Sequence, residues 1–310
     1  MRRGPSMLLT ATAAVIFSVP VVAGSGCEAK VYGRPPTLPT APPLTVVAPQ
    51  GTLVPLPDAP PNEPTAAFEG LDARERQATA EAANDGADIS TLVLDRNTNQ
   101  LVSNGNGTAI AVASVAKLFI ADDLLLQESK GQTQLSPADR AALDIMLRSS
   151  DDDAAEDFWN RGGGGAIVTR VAARYGLKST SPPGDGRWWN TISTAADLVR
   201  YYDMLLDGTG GLPPERAGII IGNLAQSTPT GVDGYPQRFG IPDGLFAEPV
   251  AVKQGWMCCI GSDWMHLSTG VIGADRRYVM VIGSMQPSDD STARATITQA
   301  VKTMFPGGRV

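Results

Sequence analysis

The 310-residue chain contains a single histidine, His266. A Ser–His–Asp triad would have to use that residue, and no G-x-S-x-G elbow accompanies it. In "DWMHLSTG" it reads as a structural residue on a strand face. The same scarcity argues against zinc, because one histidine and no spaced cysteine pairs give no ligand set. No metal and no cofactor are expected. Three cysteines occur, Cys27, Cys258 and Cys259, so the fold must stand without a disulfide framework. Adjacent Cα atoms lie about 3.8 Å apart, below the usual disulfide range of roughly 4.4–6.8 Å. On a strand the side chains of Cys258 and Cys259 point to opposite faces, which predicts two free thiols, at least one of them buried. The chain also lacks any block of Lys or Arg, and its net charge is -7. Without a basic face to neutralise phosphates, nucleic acid is excluded as a partner.

What is present begins with a leader. Arg2 and Arg3 precede the apolar run Met7–Ala23, and "VAGSGC" follows at 22–27, in the order of a signal peptide. The run is short for a membrane span. Ser25 and Gly26 before Cys27 fit the lipobox at which bacterial lipoproteins are cut and then lipidated, although Gly24 stands where an aliphatic residue is usual. The other reading is ordinary cleavage near Ser25. A lone cysteine directly after a signal favours lipidation, with Cys27 as the membrane anchor on the outer face of the cell membrane. Residues 28–65 follow as a tether: positions 35–64 hold eleven prolines and two charges, Asp58 and Glu63, and cannot form helix or interior strand. A disordered leader without a role is the alternative.

A folded domain is expected over 66–310. Residues 66–84 are Ala- and charge-rich and read as a helix; "ISTLVLDRNTNQLVSNGNG", 89–107, reads as a hairpin. Helical patterns continue through 111–129, 135–161, 166–176 and 193–208, with Ser193 as the expected cap of the last and Gly208 as its stop. Three strands and a final helix close the chain. Strands at both ends with helices between them predict an α+β fold, an antiparallel sheet flanked by helices plus a helical lobe.

Within "AVASVAKLF", 111–119, Ser114 and Lys117 are three residues apart. On a helix they share a face, within hydrogen-bond reach. A serine hydroxyl becomes a nucleophile when a neighbouring base takes its proton, and a lysine can serve when desolvation destabilises its ammonium. Backbone N–H groups at a helix start can hold an oxyanion. Taken alone, S-x-x-K also fits a capping serine followed by a surface lysine.

Two further elements follow in order: Ser150-Asp151-Asp152, and Lys253-Gln254-Gly255. The sequence "SVAK" … "SDD" … "KQG" resembles the S-x-x-K, S-D-N, K-T-G signature of penicillin-binding proteins and class A β-lactamases. The likeness extends over roughly 66–306. It implies that Ser114 attacks a β-lactam or acyl-D-Ala carbonyl with Lys117 as base. Ser150 passes a proton to the leaving nitrogen, and Asp152 holds Lys117. Lys253 draws the substrate carboxylate and biases Ser150; the N–H groups of Ser114 and Trp256 form the oxyanion hole. A small anionic substrate drawn to a local cation is the expectation.

The chain departs from the pattern in four places. Asp152 replaces Asn and is expected to keep Lys117 charged, making it a worse base. Gln254 replaces a hydroxyl residue and, with the bulky Trp256, is expected to crowd the cleft wall. The Ω-loop segment 179–190 has no Glu of the kind class A enzymes use to activate the deacylating water, only Asp185. Only 36 positions separate Ser114 from Ser150. The expectation is an exported serine hydrolase-like protein that acylates on β-lactam, D-Ala peptide or ester substrates and deacylates poorly. The alternatives are a degenerate relative that binds cell-wall peptides or a protein partner, and a plain esterase.

Overall fold

The structure is a computed structural model, and it describes residues 68–310. The signal segment with Cys27, the tether and the boundary expected at 66 lie outside those residues. Among the described residues no helix is long and apolar enough to cross a membrane.

Helix α1 (Leu71–Asn84) leads into the hairpin β1 (Asp88–Asp95) and β2 (Gln100–Ser103). A short β3 (Ile110–Ala111) enters a 3-10 turn (Ala113–Ala116), then α2 (Lys117–Ser129), α3 (Pro137–Arg148), α4 (Asp152–Arg161) and α5 (Ala166–Tyr175). A second 3-10 turn (Trp188–Asn190) and β4 (Ile192–Ser193) precede α6 (Ala195–Asp207), α7 (Pro214–Leu224) and the single turn α8 (Ile241–Gly244). Strands β5 (Val250–Ile260), β6 (Asp263–Ile272) and β7 (Tyr278–Gln286) and helix α9 (Asp290–Met304) complete the chain.

The first and last strands share one antiparallel sheet, in the order β2-β1-β7-β6-β5. Alternate side chains of β1 and β7 serve two cores. Val93, Met280 and Ile282 pack with Leu71 of α1 and Ile297 and Val301 of α9. Leu94, Val279 and Val281 face the other way, onto Leu118, Phe119, Phe158 and Tyr201 of the helical lobe. Helices cover both faces, so the run in β7 is apolar at nearly every position instead of alternating. This is the α+β arrangement that the sequence pattern predicts.

Local signals set the helix ends. At α3, Ser136 Oγ accepts from Asp139 N (3.1 Å) while Asp139 Oδ2 accepts from Ser136 N (2.9 Å), with Pro137 in the first turn. The helical pattern over 135–161 is two helices, not one. Asp151 accepts from Ala154 N (2.7 Å) and caps α4, and a helix does not run through its own cap. Thr194, not Ser193, caps α6 by accepting from Asp197 N (3.2 Å), because Ser193 is already paired with Ile110 in the β3–β4 ladder. Helix α7 was not expected from the sequence. Gly218 and Gly222 weaken its helical signal, and it is held by burial of Ile220, Ile221 and Leu224.

Cys258 and Cys259 correct the expectation of free thiols. The alternation argument assumes a trans peptide; the bond between them is cis, their Cα atoms are 3.0 Å apart, and the sulfurs form a disulfide. Both residues are exposed near the end of β5.

Candidate active site

Ser114 stands on a braced turn. The β3–β4 ladder and a bond from Val112 N to Thr191 O (2.9 Å) hold the chain before it. Val115 N closes the turn on Val112 O (3.0 Å), and Ala113 adopts φ 45. A non-glycine residue in that region costs about 1–3 kcal/mol and persists where the surroundings impose it. Those surroundings are the completely buried Val112, Val115, Ala116 and Leu118. Ser114 itself is 7% exposed. Lys117, the first residue of α2, follows one turn later.

The structure brings Ser114, Lys117, Ser150, Asp152 and Lys253 into one hydrogen-bonded group. Lys117 Nζ lies 2.9 Å from Ser114 Oγ, 2.6 Å from Ser150 O, 3.2 Å from Ser150 Oγ and 2.5 Å from Asp152 Oδ1. Lys253 Nζ reaches Ser150 Oγ (2.9 Å) and Gln254 O (3.1 Å). Ser150 sits at the α3–α4 corner with φ 57, a second left-handed non-glycine residue in the group. That turn aims both its carbonyl and its hydroxyl at Lys117.

Both lysines are fully buried, and burial dominates their titration. It pushes Lys117 below the ordinary lysine range, against the pull of Asp152, Asp151 and Asp233. The ion pair with Asp152 therefore forms as expected, but the net direction is toward the free amine. A neutral Nζ has two N–H bonds, which can serve Ser150 O and Asp152, and one lone pair left for the Ser114 hydroxyl. Burial also pushes Lys253 down, helped by the charge of Lys117 and opposed by Asp152 and Asp233.

Two residues of the group escaped sequence reasoning. The Trp188 ring lies over Lys117, 4.6 Å from Nζ to the ring centroid, and is 3% exposed. Asp233 belongs to the loop between α7 and α8, which clasps the corner before Ser150: Val232 N donates to Ser149 O (2.8 Å) and Thr228 N to Arg148 O (3.0 Å). Neither position carries a local motif; both arrive through long-range packing.

β5 is the edge strand of the sheet, and its free edge runs past the Ser114 turn. A Cβ on Gly255 would lie 2.6 Å from Val112 O, so only glycine allows this approach. Gln254 does not crowd the cleft. Its side chain is buried and donates to Gln237 O (3.1 Å) and Phe239 O (2.6 Å). Trp256 is half-buried and stacks on Tyr235, with ring centroids 4.5 Å apart and 7° between planes. Asp185 is exposed and spent on its own turn, accepting from Arg187 N (3.1 Å) and Asn190 Nδ2 (2.7 Å); these bonds hold it below the usual carboxylate range. His266 is buried beside Tyr235 Oη (2.6 Å) and Asp290 (3.4 Å), where burial pushes it down to about 4.

No family model matches the chain. Proteins named LppW, a name that classes them as lipoproteins, are 63% identical to it in Mycobacterium bovis and Mycobacterium tuberculosis, with 100% of each chain covered. Among solved structures, the TLA-1 extended-spectrum β-lactamase superposes with TM-score 0.63 at 12% identity, over 76% of this chain and 98% of that one. A β-lactamase from Chitinophaga pinensis gives 0.61 at 13% identity, over 74% and 97%. PBP-A gives 0.61 at 17% identity, over 79% and 96%. At such identities the likeness is one of fold, and the fold is β-lactamase-like.

Proposed function

The chain belongs to the LppW family, and on that premise we propose that it is an exported lipoprotein, lipidated at Cys27, that forms an acyl-serine at Ser114. The observation that carries this reading is that one buried amine, Lys117 Nζ, is within reach of both Ser114 Oγ (2.9 Å) and Ser150 Oγ (3.2 Å). Lys117 as free amine takes the Ser114 proton while Oγ attacks the carbonyl of a β-lactam, a D-Ala peptide or an ester. The N–H groups of Ser114 and Trp256 receive the developing oxyanion. Ser150, oriented by Lys253, relays the proton to the leaving group as the acyl bond breaks.

Hydrolysis of the acyl-serine is slow on this reading. Asp185 is committed to its own turn, and Trp188 covers the amine that would activate water. A missing general base costs about 10²–10⁴-fold. The test is a covalent adduct on Ser114 after exposure to acyl donors, absent in Ser114→Ala. A protein that binds such compounds without an adduct would instead be a non-catalytic binder.

A further inference from the structure

Resting on the acyl-serine reading, we propose that Asp233 makes the site select acyl donors without a carboxylate beside the scissile bond, neutral esters or thioesters rather than acids. The family pattern leads to the opposite expectation, a substrate carboxylate drawn by Lys253. That lysine is 1% exposed and already donates to Ser150 Oγ and Gln254 O. Gln254, at the position where a hydroxyl would greet a carboxylate, turns its side chain to the 237–239 segment instead. Lys117 is matched by Asp152 at 2.5 Å. Lys253 has only neutral partners, but two of its three N–H bonds are spent on them and burial disfavours its ammonium, so it offers a substrate anion little charge.

Asp233 adds a further negative charge. Its Oδ1 accepts from Tyr235 N (2.9 Å), and the Tyr235 ring is stacked on Trp256. A Cβ on Gly231 would lie 2.5 Å from Asp233 Oδ1, and 3.5 Å both from Ser149 O and from the Trp256 ring. The exposed carboxylate thus lies near both the corner that carries Ser150 and the residue that follows Gly255, at the rim of the Ser114 group. It is close enough to pull both Lys117 and Lys253 toward their charged forms. Three carboxylates, Asp151, Asp152 and Asp233, act on Lys117. A leaving group carrying its own carboxylate would meet repulsion that the two lysines do not offset.

The reaction is one exchange: the Ser114 Oγ–C bond forms, the carbonyl C–S bond breaks, and the hydroxyl proton passes through Lys117 and Ser150 to the departing thiolate. The experiment uses a matched pair, N-benzoylglycyl thioglycolate and its methyl ester. Both leave the same acyl group on serine; esterification removes the charge of the leaving group and also makes its thiolate a better leaving group, so each acylation rate is divided by that donor's spontaneous hydrolysis rate under the same conditions. Acylation of Ser114 is followed by intact mass and by thiol release at low ionic strength. The methyl ester is expected to acylate at least about tenfold faster, and Asp233→Asn to close most of that gap, as does added salt. An acid that reacts as fast as its ester, or a ratio untouched by Asp233→Asn, overturns the proposal while leaving the acyl-serine reading intact. No adduct from either donor overturns both.

Discussion

Lys117 is the residue on which the chemistry turns, because two opposed influences meet at its Nζ. Burial favours the amine and Asp152 favours the ammonium. Acylation needs the amine, so its rate rises with pH through the lysine titration. Removing the Asp152 charge removes a stabiliser of the ammonium, so the titration in Asp152→Asn moves to lower pH. The check is the pH profile of acylation by a neutral thioester. A limb that stays in place or moves up would mean that Asp152 does not govern the amine. The motif spacing made Ser114, Lys117, Ser150 and Lys253 legible in the sequence, since each is fixed by a local element. Trp188 and Asp233 were not, since each reaches the amines across chain separations that no local pattern records.

At the level of elements, the site depends on how closely β5 passes the Ser114 turn. Ala at position 255 would drive Cβ into Val112 O, and relief requires the strand or the turn to retreat. Such overpacking costs about 1–3 kcal/mol. Gly255→Ala is therefore expected to lower acylation by more than about tenfold while the protein still folds cooperatively. Gly107→Ala, with nothing within 4 Å of the new methyl, is the control expected to behave as wild type. Acylation rates beside urea denaturation of the two variants separate the effects. The hairpin, the three long strands and most helices were readable from apolar period and caps. Helix α7 was hidden by its glycines, whereas the corner at Ser150–Asp152 was legible as the S-D-N position between two helices. Gln254 shows the limit of reading a motif position as a direction. The backbone carbonyls of Gln237 and Phe239, not the residue's place in "KQG", decide where its side chain goes.

Across the whole molecule, one buried histidine ties stability to pH. His266 is held neutral, down to about 4 in the fold against 6.5 when exposed. As pH falls through 6.5 the unfolded chain takes up a proton and the folded chain does not, so stability declines until about pH 4 and then levels off. The full shift corresponds to about 3 kcal/mol. Because it is the only histidine in the sequence, His266→Gln should flatten urea-denaturation stabilities measured between pH 7.5 and 4.5, and an equal decline in that variant would assign the effect elsewhere.

The central claim is that the buried serine is a nucleophile. The measurement that reaches it most directly is intact-protein mass spectrometry with peptide mapping after exposure to an activated neutral thioester, with Ser114→Ala alongside. The account predicts one acyl group per chain, on Ser114, persisting for many minutes and absent from the variant. An unmodified protein, or an adduct of equal yield in Ser114→Ala, would contradict it.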